Sequence, residues 1–173
     1  MSPSSRLLAV ADDADVATRE TRDARRWCAL TAAPLPVGEA AAFLATPEAG
    51  GLALFVGITR QWTEGRETER LRYEAYEPMA LAELGRLADE VTARWPVATC
   101  CLLHRLGEVP VAEASVVVGV ATPHRAEAFA ACRWLIDTLK ERVPIWKREV
   151  FADGTEAWVA PRGAGRARTP SEG

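Results

Sequence analysis

Lysine is nearly missing from this sequence of 173 residues. Of its 21 basic side chains, two are lysines, Lys140 and Lys147, and the rest are arginines. Histidine is as scarce, with only His104 and His124. No apolar run nears the ~20 residues that a helix needs to cross a bilayer. The opening MSPSSRLLAVADDADV has no adequate secretory core, so a cytoplasmic protein off the membrane is expected. The net charge of −3 argues against a general nucleic-acid binder. There is no G-x-G-x-x-G and no P-loop, which removes support for nucleotide binding of those kinds.

Four cysteines are present, Cys28, Cys100, Cys101 and Cys132, but no C-x-x-C pair. The two histidines add no ligand spacing, so neither a metal site nor a metal cofactor is expected. Cys100 and Cys101 lie in the apolar run VATCCLLHRL and read as core packing rather than as nucleophiles.

What is present suits one domain with a sizeable core: 49% of residues are hydrophobic and 26% charged. Residues 1–26 read as a mobile extension, 27–162 as the domain and 163–173 as a flexible tail. Within the domain, 36–46 reads as a short helix and 51–59 as a buried strand. Residues 61–67 read as a mobile loop and 68–76 as a strand with one wet face. The Leu81, Leu84, Leu87, Val91 stripe marks a helix over 78–95, opened by Pro78 and stopped by Pro96. Strands follow at 97–107 and 114–122, with a turn-like VPVAE between them. Thr122 and Pro123 suit the N-cap and first position of a second long helix that runs to about Arg142. Residues 145–151 and 155–160 read as a closing hairpin around Asp153 and Gly154. Strands in adjacent pairs between helices mean α+β, not a doubly wound parallel sheet.

Three places can carry chemistry. Arginine supplies charge but does not act as an amine nucleophile, so the two surviving lysines are candidates for amine chemistry. A coding bias toward arginine, leaving two solvated lysines, explains the count equally simply. If the hairpin starts directly after Pro144, Lys140 and Lys147 face one pocket. His124 and Arg125 open the second long helix, where backbone N–H groups and the helix dipole favour an anion. Arg60 ends a strand beside the loop, the place of an anion clamp or of an ordinary exposed arginine. His104 reads as structural, hydrogen-bonded within its sheet. His124 and Lys140 stand sixteen residues apart on one helix, about 24 Å at 1.5 Å per residue. Either one end alone is a site, or two subunits build it.

FVGITR (55–60), YEAY with Met79, HRLGEV (104–109), TPHRAEAF (122–129), IDTLK (136–140), PIWKRE (144–149) and a late TrpVal (158–159) occur in that order. Together they resemble the large, catalytic subunit of molybdopterin synthase over roughly 30–162. The resemblance implies an α/β hammerhead fold with an additional antiparallel part. It implies a sulfurtransferase of molybdenum cofactor biosynthesis that converts cyclic pyranopterin monophosphate into the dithiolene of molybdopterin. The sulfur donor would be a small ubiquitin-like carrier with a C-terminal Gly-Gly thiocarboxylate. The large subunit would form a homodimer within a heterotetramer, with each pocket drawing on both large subunits. By the same resemblance Lys140 and Lys147 are catalytic, and Phe55, Arg60, His124, Arg125 and Arg162 bind substrate. Gln61 and Trp62 depart from the family pattern after Arg60, and an extra residue in the hairpin alters the surroundings of Arg162. Two other readings compete: a non-catalytic module for a ubiquitin-like tail, and a Schiff-base lysine enzyme acting on a small anion.

Overall fold

The computed structural model describes residues 18–159. Two sheets organise the chain. The first contains β1 (Arg19–Arg22), β2 (Arg26–Thr31), β6 (Thr99–Arg105), β8 (Ala114–Thr122) and β3 (Gly51–Ile58), in that spatial order. Only β2 and β6 pair in parallel; every other pairing in this sheet is antiparallel. The second runs β10 (Glu156–Val159), β9 (Ile145–Phe151), β5 (Arg66–Ala75) and β4 (Trp62–Thr63), with β7 (Gly107–Pro110) also paired to β5.

Helices cover both faces of the first sheet. α1 (Val37–Leu44) lies on one face, where Ala40 and Leu44 meet Trp27, Ala29, Cys101 and Leu103. On the other face, α2 (Glu77–Arg94) and α3 (Arg125–Arg142) meet Cys100, Leu102, Val116 and Val118 through Leu84, Leu87, Leu135 and Leu139. β6 and β8 therefore bury both sides, which is why they read as unbroken apolar runs. Alternation along β6 puts His104 on the α3 side with Cys100 and Leu102. All four cysteines are buried and free. Burial pushes the thiols of Cys28 and Cys101 up to about 12 and that of Cys100 to about 11. They pack as small apolar groups, as the sequence suggests for Cys100 and Cys101.

The α+β class and the two long helices stand as the sequence reads them. Other elements differ. β1 forms inside the segment read as an extension. It is exposed throughout and held by backbone pairing with β2, so no apolar pattern announces it. Residues 61–67 are no loop but a tight hairpin, with Glu64 and Gly65 both at positive φ between β4 and β5. β3 is an edge strand rather than a buried one, and it leaves Leu52, Phe55 and Ile58 exposed. Thr122 still belongs to β8, so α3 begins later, with His124 at its N-cap. Thr122 Oγ1 instead donates to the His124 carbonyl at 2.6 Å. Gly51 lets β3 come close to this helix start: a Cβ there would stand 3.0 Å from Arg125 Cα. The proposed tail, 163–173, and Arg162 lie outside the described residues.

Candidate active site

α3 ends at Arg142 and β9 begins at Ile145. Val143 is buried, and the Ile145 N–H donates to its carbonyl at 2.8 Å, closing a tight corner at Pro144. Lys140 lies on the helix just before this corner and Lys147 on the strand just after it. Both line one cavity of about 400 Å³. Arg60, directly after β3, lines it too, as do Tyr73 of β5, His104 of β6 and Glu149 of β9. The two sheets and the end of α3 thus meet around three cationic side chains and one carboxylate.

Alternation along β9 places Ile145, Lys147 and Glu149 on the cavity side. Glu149 is 5% exposed and accepts a hydrogen bond from Thr68 Oγ1. Burial pushes the Tyr73 phenol above its usual range, against the opposing hydrogen bond with Ser115. Its ring meets the His104 imidazole edge-on, with centroids 4.8 Å apart. His104 Nδ1 lies 2.7 Å from the Arg105 carbonyl, to which it donates. Burial holds this histidine down to about 4, with the Lys140 charge acting in the same direction. Phe55 lies beside Lys140, its ring centroid 5.8 Å from Lys140 Nζ.

The structure brings Lys140, Lys147 and Arg60 together, with Phe55 beside them. It does not bring His124 and Arg125 to this cavity. Both are exposed at the opposite end of α3, about 24 Å away along the helix. Sequence reasoning missed Tyr73 and Glu149 as cavity residues. Glu149 was findable, because it stands two residues after Lys147 on a strand and so shares its face. Tyr73 had the alternation of its own strand and its place in YEAY as signals, and neither says that it faces the cavity.

Fold and cavity define a class: an α+β protein that gathers two amines and a guanidinium in one cavity, a set of groups suited to anions. The chain belongs to the MoaE protein family, whose model matches residues 30–142. A protein of Rattus norvegicus named molybdopterin synthase catalytic subunit is 44% identical over 128 residues, covering 74% of this chain and 64% of that protein. One of the same name from Pyrococcus abyssi is 42% identical over 123 residues, covering 71% of this chain and 82% of its own. The chain thus spans somewhat under two thirds of the rat relative's length. The crystal structure of molybdopterin synthase from Staphylococcus aureus superposes with a TM-score of 0.72 at 34% identity, over 76% of this chain and 95% of that one. Among the described residues, no helix is long and apolar enough to cross a membrane.

Proposed function

We propose that this chain is a molybdopterin synthase catalytic subunit. It transfers sulfur from a thiocarboxylated ubiquitin-like carrier to cyclic pyranopterin monophosphate. The observation that carries the reading is the shared cavity of Lys140, Lys147 and Arg60, in a chain 44% identical to a relative of that name. A cyclic phosphate and a carrier tail that ends in a negative charge both suit this cationic site. The carrier's terminal carbonyl lies near Lys140, whose ammonium is placed to stabilise charge and to move a proton as the carbon–sulfur bond of the thiocarboxylate breaks. Arg60 and Phe55 border the pterin, together with His124 and Arg125 of a second copy in a homodimer. Arg162, which follows β10 in the chain and lies outside the described residues, is assigned to the same substrate by the resemblance alone. The reading places the protein in the cytoplasm, and four free thiols suit a reducing compartment.

The test mixes the protein with its thiocarboxylated carrier and the pterin precursor and assays dithiolene formation. Lys140→Ala and Lys147→Ala should each lower the rate by about 100-fold or more, with melting curves unchanged. Near-normal rates in both variants overturn the lysine assignment. Carrier binding without turnover by the unaltered protein favours a non-catalytic module. Borohydride trapping of a carbonyl substrate without any carrier favours a Schiff-base enzyme.

A further inference from the structure

Among the described residues, His104 is the one buried imidazole, and the proposed chemistry leaves it unused. It is 5% exposed, yet it lines the cavity that holds Lys140 and Lys147. A backbone carbonyl only accepts, so the contact from Nδ1 to the Arg105 carbonyl fixes the ring hydrogen on Nδ1. Nε2 is then left with its lone pair. The ring is held on one side by its strand and on another by the edge-on Tyr73. Its acceptor is therefore rigid as well as neutral.

The charged and titratable groups around this ring come from four places: Tyr73 from β5, Lys140 from α3, Lys147 and Glu149 from β9, and Arg60 after β3. Glu149 already takes the Thr68 hydroxyl. Lys140 has a second attraction, the face of Phe55, at 5.8 Å.

We propose that His104 is a positioning residue: its Nε2 accepts a hydrogen bond from the Lys140 ammonium and fixes the direction of that group within the cavity that both residues line. The proposal rests on the sulfur-transfer reading for its kinetic consequence but not for the contact itself. His104 is not a general acid in this role. With its protonation held down to about 4, roughly one ring in a thousand carries a second proton at pH 7. It works as a fixed acceptor.

The chain has two histidines, so nitrogen-15 labelling of histidine in the full-length protein gives a spectrum that His104→Asn assigns at once. At pH 7 the His104 ring should carry its hydrogen on Nδ1 and none on Nε2. Lys140→Ala should move the Nε2 signal and leave that of His124 in place. A hydrogen on Nε2, or an Nε2 signal indifferent to Lys140→Ala, overturns the proposal. In the kinetic arm, His104→Asn keeps a donor for the Arg105 carbonyl and removes the acceptor. It should lower kcat by about tenfold or more, the cost of one hydrogen bond to a charged group, and hold KM within about twofold. His104→Gln, with an amide oxygen near the Nε2 position, should recover most of kcat. Full kcat in the Asn variant, or a Gln variant no better than Asn, overturns the proposal. Absence of dithiolene formation by the unaltered protein overturns the functional reading instead, because the spectra need no substrate.

Discussion

At the scale of the residue, His104 ties stability to pH. The folded chain holds its protonation down to about 4, chiefly by burial, whereas an exposed histidine titrates near about 6.5. Between these values the unfolded chain binds a proton that the folded chain refuses. The stabilisation is complete above about pH 6.5 and is lost as pH falls toward 4, by roughly 3 kcal/mol in all. Denaturant midpoints measured from pH 7 to pH 4.5 should show this loss, and His104→Phe should flatten the upper part of the slope. An identical slope in that variant would assign it to other groups. The carboxyls of Glu83 and Glu90, held low by Arg142 and its neighbours, act at lower pH. Scarcity made Lys140 and Lys147 visible in the sequence. His104 was legible only as a strand residue, because nothing in HRLG says which face of β6 meets the end of α3. Phe55 came from resemblance alone, since its ring acts across a gap between β3 and α3 that no local pattern encodes.

At the scale of the element, the end of α3 is anchored to α2. Arg142 Nε donates to Glu83 Oε1 at 2.8 Å, and its two terminal nitrogens grip Glu90 at 3.0 and 2.8 Å. Glu83 is buried and also paired with Arg86. Arg142→Ala should cost roughly 1–2 kcal/mol, read from the denaturant midpoint, because part of the network stays wet. The difference from wild type should shrink in high salt. An unchanged midpoint at low salt would show that the network carries no net stability. The helices and β5 were legible through apolar periods of 3.6 and 2, and β3, β6 and β8 through unbroken apolar runs. The buried β2 was not read as a strand, and β1, β4 and β7 were not legible either. They are short, polar or exposed, and backbone pairing to a longer neighbour holds them. The edge position of β3 was equally hidden, since an apolar run looks the same at the border of a sheet as at its centre.

At the scale of the whole molecule, two facts meet. α3 carries Lys140 at one end and His124 at the other, and β3 leaves the first sheet with an open edge. The proposed homodimer resolves the first, by letting one copy's helix start face its partner's cavity. Light scattering should then report about twice the 18.8 kDa of the chain. Mixing supplies the sharper test. Lys140→Ala and His124→Ala chains, each inactive alone, should regain about a quarter of wild-type activity after subunit exchange, because half of the dimers then hold one intact site. No recovery, with exchange verified, would confine each site to a single copy. The sequence posed this two-subunit choice through the helix rise alone, but it could not show which end of α3 carried the cavity. That depended on β5 and β9 closing over it, a long-range pairing.

The corner at Pro144 also makes chain length part of the chemistry. β9 repeats every two residues, so Lys147 reaches the cavity only if the connection from α3 has its present number of residues. One residue more or fewer would turn Trp146 or Arg148 inward and send Lys147 to the opposite face. Substitutions around the corner leave that registration intact, whereas a single-codon insertion or deletion between Arg142 and Ile145 would separate the paired amines while changing neither lysine. The connection therefore tolerates drift in composition but not in length.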